Sequence, residues 1–292
     1  MPSRNILPPC PLCEAPQAAF SFAQNGFSIF RCPRCDFRFV HPPPGDAGDL
    51  YGEDYFRGAR RGFGYVDYDL DKVAMESFFA SALDRLERFR PERGALLDVG
   101  AATGFFLKLA ARRGWRGEGL EISPYAVRQA AQSGSTVRLG ILTDRLFPES
   151  SFHAVTLFDV IEHVSDPAGM LAEVKRLLIP GGVVVINTPD TASWWARLFG
   201  RRWHAFCPPE HLSYLNRRNL SLLLSRHGFR VEHTAKIGKR FTPAYVFSML
   251  RRWQGWTLWR SLEGLVRAGA LNRIALPINI RDNFFLIARR ID

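Results

Sequence analysis

No apolar run in this 292-residue sequence approaches the ~18 residues that a bilayer-spanning helix needs. The first residues after Met1 are broken by prolines and lack an apolar core, so no secretory signal is expected there. Together these absences predict a soluble, cytoplasmic chain. Cysteine is scarce at five residues, and in a reducing compartment that points to metal binding or free thiols rather than disulfides. No internal repeat and no low-complexity tract is present. What remains is 47% hydrophobic, enough to exclude disorder and to build a large domain beside a small module.

Acid is missing from one end. Residues 1–190 hold 21 Lys/Arg and 23 Asp/Glu, whereas residues 191–292 hold 18 and 5, a local net of +13 within an overall +11. Six of the seven tryptophans (Trp194, Trp195, Trp203, Trp253, Trp256, Trp259) lie in the same third. Arginines among indoles suit a phosphate-bearing ligand, nucleic acid or an anionic membrane, and equally a plain arginine-rich surface.

Composition divides the chain into three regions. Residues 1–45 hold four cysteines and end in Pro42-Pro43-Pro44-Gly45. Residues 46–94 form an aromatic linker, then a helix with apolar positions at Val73, Ala74, Phe78, Leu83, Leu86 and Phe89. From residue 95 to 292, short apolar runs alternate with helical stretches, the pattern of a parallel-sheet α/β domain. Strands are expected at 95–99, 117–121, 136–139, 153–158, 182–187, 229–234 and 283–288. Helices are expected at 104–113, 124–132, 168–178 and 217–227. An insertion at about 238–280 reads as helical and amphipathic, through Tyr245, Met249, Trp253, Trp256, Leu262 and Val266. Its indoles and arginines (Arg251, Arg252, Arg260, Arg267) fit a lid over an acceptor pocket, a membrane edge or simple packing on the sheet.

Cys10-Pro11-Leu12-Cys13 and Cys32-Pro33-Arg34-Cys35 are two Cys-x-x-Cys knuckles with eighteen residues between them. Four thiolates at that spacing can close a tetrahedron around Zn2+, leaving no open position, so the metal's role would be structural. Arg31, Arg34 and Arg38 give this ribbon some positive charge. Cys207 is left as a plain thiol.

The run Asp98-Val99-Gly100-Ala101-Ala102-Thr103-Gly104 carries a strand through a small-residue turn into a helix. Small residues let backbone N–H groups approach a ligand, and the helix N-terminus adds positive potential. Seventeen residues beyond Gly104, Glu121-Ile122-Ser123 ends the second strand on an acid that can accept ribose hydroxyls. A pyrophosphate site wants Gly-x-Gly-x-x-Gly. Here the spacing is Asp98-x-Gly100-x-x-x-Gly104, and an acid at the turn repels pyrophosphate but favours the ammonium and sulfonium of S-adenosyl-L-methionine.

With Phe158-Asp159-Val160-Ile161-Glu162-His163 after the fourth strand and Leu177-Leu178-Ile179-Pro180-Gly181-Gly182 before the fifth, these motifs resemble the class I S-adenosylmethionine-dependent methyltransferases, in the group similar to ubiquinone-biosynthesis O-methyltransferases. The resemblance runs from about Tyr51 to the end. It implies a doubly wound Rossmann-like α/β sheet of order 3-2-1-4-5-7-6 with strand seven antiparallel. It also implies cofactor contacts at Asp98, Gly100, Ala102, Gly104, Glu121, Ile122 and Asp159. Ala102 stands where the commonest pattern has glycine. After strand three, where many relatives carry an acid near the adenine, none occurs before Asp144. A cysteine-rich module ahead of the catalytic domain also resembles bacterial methyltransferases of sugars and surface glycans.

Methyl transfer to oxygen gains from a base near neutral pH. His163, after strand four, and His211, in Pro208-Pro209-Glu210-His211-Leu212-Ser213-Tyr214, are the candidates, and structural roles in holding loops are the alternative for both. His204 and His41 are weaker. Tyr51, Tyr55 and Phe56 either cover the cofactor or pack a linker. The function expected is methylation of a small molecule, sugar or glycan precursor, on oxygen. One alternative is a nucleic-acid methyltransferase gripping RNA with the ribbon and the basic third. No Asn-Pro-Pro-Tyr-like or Pro-Cys motif supports it, since Asn187-Thr188-Pro189-Asp190 follows strand five. A cofactor-binding scaffold without catalysis is the second. Oligomeric state is left open.

Overall fold

The computed structural model describes residues 7–45, 51, 68–237, 239–241, 243, 247, 257–268, 276–278 and 281–291. At its centre is a seven-stranded sheet of β4 (Gly94–Val99), β5 (Trp115–Glu121), β6 (Val137–Leu139), β7 (Phe152–Phe158), β8 (Leu178–Pro189), β10 (Phe229–Ala235) and β13 (Asn283–Arg290). Their order across the sheet is β10-β13-β8-β7-β4-β5-β6. β4 to β8 run parallel, and β13 lies antiparallel to both β8 and β10. Counted as core strands one to seven, this is the order 3-2-1-4-5-7-6 implied by the resemblance.

Period-two alternation puts helices on both faces. Leu97, Val99, Val155, Leu157, Val184, Ile186, Leu286 and Ala288 face one side, where α4 (Pro167–Leu177) and α6 (Arg217–Arg226) supply Leu171, Val174, Leu220 and Leu224. Leu96, Ala154, Val183, Val185, Phe285 and Ile287 face the other, against Phe78, Leu83 and Leu86 of α1 (Tyr68–Phe89) and Phe106, Leu107 and Ala110 of α2 (Phe105–Arg112). Local chemistry sets the helix starts. Ser123 Oγ accepts from Ala126 N at 3.4 Å ahead of α3 (Pro124–Gln132), with Pro124 at its first position. Asp166 caps α4 through Gly169 N at 2.9 Å, and Asn216 and Asn219 form a reciprocal capping box on α6. β8 begins at Leu178, four residues before the strand expected at 182, because the Pro180–Gly181 stretch is absorbed as an irregularity opposite Phe152 and Ala154.

The N-terminal module is a four-stranded sheet, β1 (Ala19–Gln24), β2 (Phe27–Arg31), β3 (Arg38–Val40) and β9 (Ser213–Tyr214), in that order. Asn25 and Gly26 turn the first hairpin with φ of 51° and 83°, the left-handed pair that a two-residue loop demands. β9 comes from the distant segment after β8. Ile29 and Val40 of the ribbon share a core with Ala196 of α5 (Trp194–Phe199) and with Trp203, Phe206, Leu212 and Tyr214.

The insertion differs from its expected all-helical character. β11 (Lys239–Phe241) pairs antiparallel with β12 (Leu276–Ile278), and α7 (Thr257–Ala268) lies between them in sequence. Alternation in the short runs flanking the insertion was too brief to betray a two-stranded ribbon. Trp259 stacks with Phe247 at 5.9 Å between ring centroids. Tyr245, Met249, Arg251, Arg252, Trp253 and Trp256 lie outside the described residues, as do Tyr55 and Phe56 and most of 46–67; nor are the side chains of Arg260 and Arg267 described.

Candidate active site

The carboxyl ends of β4, β5, β7 and β8 bring the expected cofactor residues to one edge of the sheet. Gly100 (φ 71°) sits where a Cβ would lie 2.7 Å from Val160 Cγ2, and Gly104 (φ 76°) where it would lie 2.4 Å from Ser135 Cβ. Both positions therefore need glycine, for turn and for close approach. Ala102 adopts φ 46°, so alanine carries the middle of the turn in a left-handed conformation. Gly104 caps α2 with no side-chain hydrogen bond, which leaves the first-turn N–H groups of this helix to a ligand. Thr103 Oγ1 is buried in the same turn without a partner among the described residues.

Glu121 is buried and holds the cradle together. Its Oε2 accepts from Ala102 N and its Oε1 from Ser123 N, each at 2.9 Å. A carboxylate has further lone pairs, so ribose hydroxyls can still be accepted. Burial raises the Glu121 pKa against the pull of those backbone donors. Burial also lifts Asp98, to about 7, although Thr156 Oγ1 donates to its Oδ1 at 2.6 Å. Two raised carboxyls at a helix N-terminus are a fit for a cationic ligand, which would draw them into the ionised form. Ile122 follows Glu121 into the loop. Asp144 does not reach the site: its Oδ2 accepts from Ile141 N at 2.8 Å and caps its own turn.

Asp159, with φ 54°, turns away from the end of β7. Its Oδ1 accepts from Asn187 Nδ2 at 2.7 Å and from Asn283 Nδ2 at 3.2 Å, so β8 and β13 both clasp it. From sequence, Asn187 figures only in the Asn187-Thr188-Pro189-Asp190 stretch set aside as a nucleic-acid methyltransferase motif, and Asn283 only as a strand end. A buried Asn closing the apolar run Val183–Ile186 was the mark that could have revealed Asn187. Glu162, also unremarked, is buried and accepts from Thr188 Oγ1 at 2.9 Å.

His163 and His211 meet, with ring centroids 4.8 Å apart and planes at 88°. The Glu162 carboxylate joins them, all three donor atoms lying within 4.8 Å of one another. His163 Nδ1–H donates to Glu210 O at 2.8 Å, and His211 Nδ1–H to Ala205 O at 2.9 Å. A carbonyl can only accept, so both protons sit on Nδ1 and both Nε2 atoms keep their lone pairs. Burial lowers the pKa of each, His211 well below the ordinary value because the His163 ring adds to the effect. Tyr51 Oη lies 3.0 Å from His163 Nδ1. His204 instead approaches Asp282 Oδ2 at 3.3 Å, and His41 packs edge-on to Phe30.

Cys10, Cys13, Cys32 and Cys35 are all buried. Sγ–Sγ separations are 3.7 Å for Cys10–Cys35 and 3.5 Å for Cys13–Cys32. A disulfide would need ~2.05 Å, whereas a thiolate tetrahedron with ~2.3 Å metal–sulfur bonds has edges of ~3.8 Å. The knuckles match each other: Glu14 N donates to Cys10 O and Asp36 N to Cys32 O, with φ of 59° at Glu14 and 62° at Asp36. Arg31 pairs with Asp36 at 2.5 Å, and Arg38 lies 3.9 Å from the same carboxylate, so much of the ribbon's positive charge is answered locally. Among the described tryptophans of the basic third, Trp203 is buried, exposed Trp194 meets Trp195 edge-on at 5.0 Å between ring centroids, and Trp195 stacks on Phe199. Cys207 is half-buried, and burial raises its thiol.

Sheet order, glycine turn and acid pair agree with the resemblance to class I methyltransferases. A family profile described as a methyltransferase domain matches residues 73–234, more than half of the chain, and the chain belongs to that family. A probable S-adenosylmethionine-dependent methyltransferase of Mycolicibacterium smegmatis is 32% identical over 141 residues, 48% of this chain and 53% of its own. A ubiquinone biosynthesis O-methyltransferase of Xylella fastidiosa is 26% identical over 175 residues, 55% of this chain and 70% of its own. The chain spans about half the length of the first relatives it matches. A solved S-adenosylmethionine-dependent methyltransferase of Archaeoglobus fulgidus aligns at 19% identity with a TM-score of 0.49, over 84% of this chain and 100% of that one.

Proposed function

We propose that this enzyme methylates an oxygen of a small molecule, sugar or glycan precursor, with the His163–His211 pair as its base. The observation that carries the reading is the pair itself: two neutral imidazoles, each with Nδ1–H tied to a backbone carbonyl. Relatives named as ubiquinone biosynthesis O-methyltransferases support oxygen as the acceptor atom. Asp98, Gly100, Ala102, Gly104, Glu121, Ile122 and Asp159 hold the cofactor, which supplies a methyl group activated on a sulfonium. On methylation of the acceptor oxygen, a histidine Nε2 would take up the proton that the O–H gives up. Burial keeps the base uncharged at neutral pH and keeps water from competing. The four cysteines hold one structural Zn2+ per chain. Residues 1–45 act as a ribbon, 46–94 as an aromatic linker and helix, and 95–292 as the catalytic domain. Among the described residues no helix is long and apolar enough to cross a membrane; we assign the enzyme to the cytoplasm.

The test is a screen of phenol, catechol and nucleotide-sugar acceptors with labelled cofactor, followed by His163→Ala and His211→Ala on the acceptor found. Each variant should lose about 10²–10⁴ in kcat while S-adenosylhomocysteine affinity holds within about threefold. If both keep wild-type turnover, the pair is not the base.

A further inference from the structure

We propose that the cysteine ribbon is the positioning element of the histidine pair: the Cys32–Cys35 knuckle sets β3, β3 holds β9, and β9 fixes His211 against His163. This rests on the reading of the four cysteines as a zinc site and of the pair as the base.

β9 is two residues long, Ser213 and Tyr214, and β3 is its strand partner among the described residues. So short a strand has no stability of its own and exists only through what it pairs with. On one side Arg38 faces Tyr214, Phe39 faces Ser213, and Val40 N donates to Leu212 O at 2.9 Å. On the other side Leu212 N donates to Glu162 O at 2.8 Å and Ser213 Oγ to Val164 O at 2.7 Å. The segment carrying His211 is therefore sewn between the ribbon and the turn carrying Glu162 and His163. Tyr214 closes the loop by donating its hydroxyl to His211 O at 2.7 Å.

The ribbon end of this chain of bonds starts at the metal-binding knuckle. Cys32 N donates to Phe37 O at 2.8 Å, Phe37 is fully buried and stacks on Phe39, and β3 begins at the next residue. The other knuckle is moored elsewhere: Arg226 of α6 donates to Leu12 O at 3.1 Å and pairs with Glu14 at 3.1 Å. The four-thiol clasp thus ties a fixed anchor on α6 to the strand that positions His211. With the clasp open, β3 loses its fixed starting point and β9 its partner.

The experiment uses the full chain with Zn2+ bound, the same chain after chelation, and Val40→Pro, which removes the N–H given to Leu212 O but keeps all four thiols. Ser213→Ala, which removes only the hydroxyl bond to Val164, is the milder companion. Histidine rings are followed by NMR across pH, with His163→Gln and His211→Gln assigning the signals. The described groups around the pair are Tyr51, Asp159, Glu162, His204, Cys207, Glu210 and Tyr214. In the zinc-bound chain both rings should titrate below the free-histidine value, His211 further below it than His163. In the chelated chain and in Val40→Pro they should titrate near the free-histidine value of ~6.5, with Ser213→Ala between. Zinc content should stay at one per chain in Val40→Pro, and S-adenosylhomocysteine affinity should change less than about threefold in both. Unaltered histidine titrations in Val40→Pro and in the chelated chain would overturn the proposal. Shifted titrations alongside full turnover in His211→Ala would leave the positioning intact and remove only the catalytic role.

Discussion

Glu121 accepts a hydrogen bond from the backbone N–H of Ala102 at 2.9 Å, so the acid after the second strand is also the brace of the glycine turn after the first. Removing it would strand two buried N–H donors, on Ala102 and Ser123, besides deleting the proposed ribose contact. Glu121→Ala should weaken S-adenosylhomocysteine binding by about 1.5–3 kcal/mol, roughly 10- to 150-fold. Asp144→Ala, which only frees a local cap, should leave affinity unchanged. Titration calorimetry on both variants checks the contrast; unchanged affinity in Glu121→Ala would remove Glu121 from the site.

Asp98 makes cofactor affinity depend on pH. Its folded pKa, raised to about 7, lies above the ~3.9 of an unfolded aspartate. The folded chain therefore binds the extra proton between those values, and its stability falls as pH rises from about 4 to about 7. A cationic cofactor prefers the ionised carboxyl, so affinity for S-adenosyl-L-methionine should rise about tenfold from pH 6 to pH 8. Asp98→Asn should flatten that rise and lessen the fall in melting temperature over the same acid range. A wild-type affinity independent of pH would refute the coupling.

Much of this was legible because the central sheet advertises itself twice. Alternating pairs such as Val183/Val184 and Val185/Ile186 feed opposite faces, so strands buried on both sides read as unbroken apolar runs. The motifs Asp98–Gly104 and Glu121 are local, so their geometry followed from sequence spacing. The cysteine knuckles were legible for the same reason. Long-range partners were not: no local pattern says that Phe39 will face Ser213, 174 positions away, or that Asn283 will reach Asp159. The insertion failed for a further reason. β11 and β12 are three residues each, too short for period two to stand out beside the helical pattern of α7.

His211 sets an acid limit on the fold. Its folded pKa is lowered by burial and by the neighbouring His163 ring, so the unfolded chain takes up the proton first as pH drops. The stability it contributes is complete above the unfolded value of ~6.5 and is lost below it. This contribution opposes that of Asp98, so it is read as a difference: relative to wild type, His211→Gln should gain melting temperature as pH drops from 7 to 5. In the active enzyme the acid limb of kcat should lie below pH 6.5, since the base stays neutral there. An acid limb above that pH would assign the ionisation to another group.

Asn187 and Asn283 give Asp159 unequal support, and that inequality is measurable. Asn187 Nδ2 donates at 2.7 Å from within the sheet, where the residue is buried, whereas Asn283 donates at 3.2 Å from the start of β13. A hydrogen bond to an ionised carboxylate contributes about 1.5–3 kcal/mol, and more when short and dry. Asn187→Ala should therefore weaken S-adenosylhomocysteine binding by about 1–2 kcal/mol, with Asn283→Ala costing less than half of that. Asn187→Asp would set a second carboxyl 2.7 Å from Asp159 Oδ1 in place of the donating amide. Two carboxylates that close share one proton, so this variant should recover affinity as pH is lowered, opposite in sign to the behaviour carried by Asp98. Calorimetry at pH 6 and pH 8 on the three variants reads both effects; an Asn283→Ala loss equal to that of Asn187→Ala would show that Asp159 is held elsewhere.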